Sequence, residues 1–247
     1  MDNPIRLNWL DPRDPDQPFP PAHLAMRDPN GLLAIGGDLS AERLIRAYSQ
    51  GIFPWFNPDE PILWWCPDPR AVLVPRECHV SHSLAKRLRQ GRFAVTFDHA
   101  FRRVMAYCAA PRAGSRGTWL SPAMQDAYAA LHARGTAHSV EVWVQGELAG
   151  GLYGVALGRA FFGESMFSMA PDMSKIALVM LARQLDAWGF ALIDCQIASR
   201  HLESLGARAI PRRGFLAQLR AARQAPPRNG PWRFDIDVSR GREHLPW

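Results

Sequence analysis

Long apolar runs are missing from this sequence: none approaches the ~20 residues that a membrane-spanning helix needs. The amino terminus, MDNPIRLNWLDPRDPDQPFPP, is rich in Pro and Asp where a secretory leader is basic and then apolar, so the expected location is the cytoplasm. Cysteine is scarce. Cys66, Cys78, Cys108 and Cys195 form no C-x-x-C pair, which argues against a disulfide framework or a zinc site and leaves them as small buried apolar residues. The histidines form no H-x-x-x-H pair, so no metal is expected. A P-loop, a G-x-G-x-x-G turn and a G-x-S-x-G elbow are all absent, and with them any support for nucleotide hydrolysis, dinucleotide redox chemistry or α/β-hydrolase chemistry. Lysine occurs only at Lys86 and Lys175, so the positive charge is almost all Arg.

With 247 residues, 47% of them hydrophobic, the chain can bury a full core, and it reads as one large domain plus a smaller one. The net charge of +6 favours an anionic partner, but a phosphate backbone needs several cations on one surface, so clustering matters more than the total. Two clusters stand out. Lys86, Arg87 and Arg89 lie on a predicted helix, and Arg200 to Arg228 holds seven Arg against the single acid Glu203. Each alone suits a solvated face; together they make nucleic acid a real candidate.

Prolines keep the first thirty residues extended, and turn signals follow at Pro29-Asn30-Gly31 and Gly36-Gly37-Asp38. Caps and spacing predict helices from about Ser40 to Gly51, Ser83 to Gln90, Asp98 to Cys108 and Ser121 to Gly135. The period then changes to two at Val140, Val142 and Val144, and the turns at Gln145-Gly146 and Gly158-Arg159 give a three-stranded antiparallel meander ending near Ser165. A long helix to Trp188, a buried strand Phe190 to Gln196, a short helix and a last helix from about Gly214 complete the order. This is an α+β fold with one mostly antiparallel sheet, a boundary near residue 68, and a Pro- and Arg-rich tail along the surface.

Two places could carry chemistry. The strand Phe190-Ala-Leu-Ile-Asp-Cys-Gln196 ends in polar groups, and alternation puts Asp194 and Gln196 on one face and Cys195 with Ile193 on the other. A buried acid needs donors or a cation, and a nearby Arg or a turn could equally be its partner. The segment Ala160-Phe-Phe-Gly-Glu-Ser-Met-Phe167 sets Glu164 in an apolar wall of the kind that ligand pockets have, though an edge strand would also expose it. Were the two strand ends adjacent, two carboxylates and an amide would face one cleft and suit an amine-bearing substrate. Gly150, Gly151 and Gly154 mark either a bulge or the close approach of another group.

These segments, together with Pro29-Asn-Gly-Leu-Leu-Ala-Ile-Gly-Gly-Asp-Leu39, Gly51-Ile-Phe-Pro-Trp-Phe56, Leu63-Trp-Trp-Cys-Pro-Asp-Pro-Arg70, Gly117-Thr-Trp119, Ala137-His-Ser-Val-Glu-Val-Trp143 and Ser204-Leu-Gly-Ala207, resemble the leucyl/phenylalanyl-tRNA–protein transferase family in order across about residues 29 to 215. The resemblance implies a small N-terminal domain (1–68) and a larger acetyltransferase-like (GNAT) domain (69–247), working without metal or nucleotide cofactor. It implies transfer of Leu or Phe, and Met less well, from aminoacyl-tRNA to a protein beginning with Arg or Lys, which marks that protein for degradation. By the same resemblance the aminoacyl pocket falls on Trp55, Trp119, Leu152, Phe161, Leu181 and Ile193, the acceptor-reading carboxylate on Glu164, and the catalytic pair on Asp194 and Gln196. Lys86, Arg87 and Arg89 are the expected tRNA contacts. The sequence departs from the family pattern at Cys66, where Ser is common, and at His82, Ala85 and Met169, where basic residues are common; the last three touch the phosphate contacts.

Two rival readings compete with this one. A coenzyme A acetyltransferase of the same fold needs a Gly-rich nest for the pyrophosphate, and Ser168-Met-Ala-Pro-Asp-Met-Ser174 has no glycine. A non-catalytic RNA-binding protein would account for the basic clusters but not for Glu164, Asp194 and Gln196.

Overall fold

The protein is described from a computed structural model covering residues 7–110, 118–228 and 231–236. Strands β1 (Asn8–Leu10), β2 (Leu32–Gly36), β3 (Phe53–Pro54) and β4 (Leu63–Trp65), with helix α1 (Ala41–Ser49), form a small sheet in the order β1-β2-β4-β3. The sequence marked the turns on either side of β2 but not the strand between them. A second, seven-stranded sheet starts with β5 (Arg70–Leu73) and continues through α2 (His82–Gln90), β6 (Ala94–Phe97), α3 (Phe101–Ala109), α4 (Pro122–Ala133), β7 (Ala137–Val144), β8 (Glu147–Leu157), β9 (Ala160–Ser168), α5 (Met173–Ala187), β10 (Leu192–Gln196), α6 (Arg200–Glu203), β11 (Arg208–Ile210) and α7 (Arg212–Gln224). Its order is β11-β5-β10-β9-β8-β7-β6.

The expected meander is β7-β8-β9, and it is antiparallel throughout. The sheet as a whole is mixed, however, because β10 returns parallel to β9 after the α5 crossover, while β5, β6 and β11 add antiparallel pairs. That corrects the expectation of a mostly antiparallel sheet by one parallel pair at its centre. Strands β5, β6 and β11 went unread because each is three or four residues long, too short for a period to register.

Local chemistry accounts for the helix starts. Ser40, Ser81 and Ser121 each accept a hydrogen bond from the backbone N–H three residues on, and Pro122 occupies the first helical position of α4. Helix α3 is the exception. It starts at Phe101 rather than Asp98, because Asp98 is turned to φ +56° and its carboxylate accepts from Ser139 N at 2.9 Å and His138 Nδ1 at 2.7 Å. The buried carboxylate of Glu141 on β7 accepts from the N–H groups of His99 and Ala100 instead, a cap supplied from a distant strand.

Apolar side chains pack on both faces of the large sheet. One cluster joins it to the small sheet and α1, α3, α4 and α7 through Tyr48, Trp64, Tyr128, Phe162 and Phe215; the other packs α5 through Ile176, Leu181, Phe161 and Ile193. The tail was expected to lie along the surface, yet Trp232 is buried there, stacked on His138 with ring centroids 3.7 Å apart. Two glycine positions matter for the site. A side chain at Gly150 would collide with Met173 at the start of α5, so close approach explains that glycine; one at Gly154 would strike the Phe162 carbonyl and the Phe161 ring, and Gly154 also lies at a bulge between β8 and β9, so both readings hold there. Among the described residues no helix is long and apolar enough to cross a membrane, and no group of three His, Cys, Asp or Glu is placed to hold a metal ion.

Candidate active site

Strands β9 and β10 pair in parallel only from Leu192/Ala160 to Asp194/Phe162. Beyond that pair both strands carry a bulge at the same level. Between β8 and β9 the register passes from Gly154/Gly163 to Tyr153/Ser165, which makes Glu164 the extra residue; between β10 and β5 it passes from Asp194/Val72 to Gln196/Ala71, which makes Cys195 the extra residue. Such bulges re-aim side chains and end pairing. Here they open a cavity of about 660 Å³ lined by Trp119, Leu152, Phe161, Leu181 and Ile193, with Glu164, Cys195 and Gln196 at the strand ends. This volume lies in the range of small-molecule sites, roughly 300–1,000 Å³.

The bulge overturns simple alternation. Asp194 is fully buried and away from the cavity, whereas Gln196 turns into it beside Ile193 and Cys195. One carboxylate and one amide therefore face the cleft, not two carboxylates and an amide, and Cys195 lines it as well as packing. Gln196 adopts φ +56°, a left-handed conformation that costs a residue with a Cβ about 1 kcal/mol or more. What holds it there is Asp194, whose Oδ1 accepts from Gln196 N at 2.9 Å. Asp194 is in turn clamped by Arg70 of β5, which donates from Nε to Oδ1 at 2.8 Å and from Nη2 to Oδ2 at 2.6 Å, with both side chains fully buried. Burial pushes the Arg70 guanidinium down, and the charge and hydrogen bonds of Asp194, with smaller help from Cys66 and Glu164, together outweigh it, so Arg70 sits above its ordinary range.

Glu164 is the hub of the second half. Its Oε1 accepts from Gln196 Nε2 at 3.1 Å and its Oε2 from the Tyr128 hydroxyl at 2.7 Å; Tyr128 in turn bonds Tyr48 of α1 at 2.6 Å. Tyr128 donates to Glu164, so Tyr48 must donate to Tyr128, and the chain of donors runs from the small-sheet unit to the carboxylate. Burial drives the Glu164 carboxyl up, the two tyrosine bonds and Arg70 pull it down, the Asp194 charge raises it, and the outcome is a group pushed up to about 7. Burial, followed by the Glu164 charge, lifts the Tyr128 and Tyr48 hydroxyls well above their usual range, so both stay protonated donors. Because the folded value for Glu164 exceeds the ordinary carboxylate value, its contribution to stability is fully present below about 4.5 and is lost as pH rises through about 7.

Five of the six residues expected in an apolar pocket line the cavity. Trp55 does not: it is exposed at 46%, edge-on to Trp65 with centroids 5.8 Å apart, and outside the cavity lining. Gly117, next to Trp119 in its motif, lies outside the described residues. On α2, Lys86 and Arg89 are exposed, whereas Arg87 is half-buried and paired with Asp172 at 3.3 Å. Sequence reasoning missed Arg70, Tyr48 and Tyr128. The signals were present: Arg70 precedes Ala-Val-Leu-Val, where a cation must find a buried acid, and the two tyrosines sit on apolar helix faces, where a hydroxyl needs a partner.

An apolar cavity that ends in a carboxylate and a carboxamide beside the ends of two parallel strands suits a group-transfer enzyme, one that holds an apolar moiety by burial and a polar reactant by hydrogen bonds. Comparison with known proteins narrows the class. Residues 72–220 match the family model described as leucyl/phenylalanyl-tRNA protein transferase, and residues 37–68 match the model of that family's N-terminal domain. The chain belongs to the leucyl/phenylalanyl-tRNA–protein transferase family. It is 61% identical over 221 residues to the leucyl/phenylalanyl-tRNA–protein transferase of Nitrosomonas europaea, covering 90% of this chain and 94% of that protein. The protein of the same name from Alkalilimnicola ehrlichii is 57% identical over 234 residues, covering 94% of this chain and 91% of its own. Among solved structures the chain is similar to a GCN5-related N-acetyltransferase from Kribbella flavida, at TM-score 0.36 and 11% identity over 64% of this chain and 56% of that one.

Proposed function

We propose that this enzyme moves Leu or Phe, and Met less well, from aminoacyl-tRNA to the amino terminus of proteins that begin with Arg or Lys, acting in the cytoplasm and marking those proteins for degradation. The observation that carries the reading is the apolar cavity that ends at the Gln196–Glu164 hydrogen bond. The aminoacyl side chain occupies the wall of Trp119, Leu152, Phe161, Leu181 and Ile193, which rejects shapes branched at Cβ by ~1–3 kcal/mol per methyl-sized mismatch. In this reading residues 1–68 form the small domain and residues 69–247 a GNAT-like catalytic domain, a division supported by the change of sheet between Trp65 and Arg70 and by the α5 crossover between parallel β9 and β10. The reaction uses no cofactor.

In the transfer step the acceptor α-amine attacks the ester carbonyl, a C–N bond forms, the ester C–O bond breaks, and the proton lost by the amine ends on the ribose oxygen that leaves. An α-amine with pKa near ~8 is partly neutral at cellular pH, so positioning, more than base strength, is what the enzyme must supply. Gln196 spends its N–H on Glu164 and keeps its carbonyl oxygen for the attacking amine. Asp194 cannot serve as a general base while Arg70 holds both its oxygens; its part is to fix Gln196. Glu164 holds the cationic side chain of the acceptor's first residue.

Incubation with labelled leucyl-tRNA and peptides starting with Arg, Lys or Ala tests the class: label on the first two only, abolished by ribonuclease pretreatment, is the expected result. Label from acetyl-coenzyme A in its place would sink the reading. The carboxylate gives a pH signature. The ratio of acceptor affinity between wild type and Glu164→Gln cancels the amine's own titration, and it is expected to fall as pH drops from 8 to 6, through the value of about 7 at which Glu164 takes up its proton. A ratio constant over that window would remove Glu164 from acceptor binding. Changing Lys86, Arg87 and Arg89 together to Ala is expected to weaken tRNA binding and to lower the slope of log affinity against log salt by roughly 1–3, about one for each phosphate that is no longer neutralised. Arg87 should contribute least, since Asp172 already holds it.

A further inference from the structure

Arg70 does not line the cavity, yet several groups hold its side chain in place. Its guanidinium lies between two aromatic rings, 4.7 Å from the centroid of Phe53 in the small sheet and 4.6 Å from that of Phe215 in α7. It is fully buried, and it binds both oxygens of Asp194. The Oδ1 atom that takes the Arg70 Nε–H is the same atom that takes the N–H of Gln196. One carboxylate oxygen thus ties the cation to the strained residue whose amide reaches Glu164.

The charges around Glu164 can be counted from every element that packs on it. Tyr48 of α1, Tyr128 of α4 and Tyr153 of β8 are neutral phenols, Gln196 of β10 is neutral, Asp194 of β10 carries one negative charge and Arg70 of β5 one positive charge. Arg70 cancels Asp194. Glu164 is left as the one uncompensated carboxylate among these groups.

We propose that Arg70 is a positioning residue for the transfer reaction: by neutralising and fixing Asp194 it holds the turn of Gln196 and leaves Glu164 as the uncompensated carboxylate, so that the site takes an acceptor whose first residue brings a positive charge. The proposal rests on the reading of Glu164 as the acceptor-binding carboxylate. It carries a consequence that a simple charge argument reverses. Removing a positive charge from the site should weaken binding of a cationic acceptor, because the freed Asp194 charge keeps Glu164 protonated at neutral pH.

The test is the pH midpoint of acceptor-peptide binding in a cycle of Arg70→Gln, Asp194→Asn and the double variant. Arg70→Gln is expected to move the midpoint up by about one pH unit or more, Asp194→Asn to move it down, and the double variant to return it near wild type. A midpoint is independent of the amount of folded enzyme, so a purely structural role for Arg70 would lower the signal and leave the midpoint in place. That result, or a double variant displaced as far as Arg70→Gln, would overturn the proposal. Should Arg70→Gln fail to fold, the downward shift in Asp194→Asn and its reversal in the double variant decide the matter alone. A wild-type enzyme that binds Arg and Ala peptides equally at every pH would instead remove the acceptor reading on which the proposal stands.

Discussion

Replacing Asp194 with Ala is expected to lower the unfolding free energy by about 3–5 kcal/mol, the cost of breaking a buried ion pair by removing one partner. The size follows from what is left behind. Arg70 stays enclosed by Phe53 and Phe215 with no acid in contact, and its Nη1 already has no hydrogen-bond partner among the described residues. The N–H of Gln196 also loses its acceptor, so the left-handed turn at φ +56° relaxes toward an ordinary strand and carries the amide away from Glu164. The chemical step should therefore fall by on the order of 10²-fold or more, with tRNA affinity nearly unchanged because Asp194 is fully buried and is bonded to Arg70 and Gln196 rather than to the cations of α2. Urea unfolding and single-turnover transfer measure the two effects separately. Asp194→Asn keeps an Oδ1 acceptor for Gln196 N, and a smaller loss of rate there than in Asp194→Ala would show the positioning component. Unchanged stability in Asp194→Ala would mean that the clamp carries no weight.

Gln196→Gly should separate chemistry from folding more cleanly. Glycine occupies φ +56° without the Cβ penalty, so the backbone strain disappears with the side chain. The lost bond to Glu164 and the relieved strain are each worth about 1 kcal/mol and act in opposite directions, which leaves stability within roughly 1 kcal/mol of wild type. The carboxamide, by contrast, is the one group of β10 that faces both the cavity and Glu164, and its removal is expected to slow the chemical step by on the order of 10²–10³-fold. Measured with saturating donor and acceptor, the defect should appear in the rate of the transfer step rather than in either binding constant. A variant that kept its rate would assign the attacking amine to another acceptor and leave Gln196 as a wall of the cavity.

Glu164 shows why this site stores instability. A carboxylate pushed up to about 7 by burial works against folding above that pH, and the donors from Tyr128 and Tyr48 only partly offset it. An arrangement kept at such a cost is the usual mark of a functional group.

Much of this protein could be read directly from the chain. Serines before helices, glycines after them and the two-residue period at Val140, Val142 and Val144 marked α1, α2, α4 and the β7-β8-β9 meander, because caps and periodicity act over a few residues. The motifs around Glu164 and Gln196 were legible for the same reason, since each is a local pattern of polar groups set in an apolar strand; the wall from Trp119 to Ile193, which draws on a loop, three strands and α5, came from the family resemblance and not from any local pattern.

What no local rule could supply is what the strands do to one another. Two bulges, visible only once β8, β9, β10 and β5 are paired, turn Gln196 into the cavity and Asp194 away from it. The partner of Asp194 is Arg70, 124 residues earlier, and the donor chain to Glu164 comes from Tyr128 and Tyr48 on two separate helices. The sequence by itself determined which residue types were present and where the elements begin; the tertiary structure decided which carboxylate is neutralised and which is left to bind, because charge compensation in a core depends on distances of about 3 Å between segments far apart along the chain.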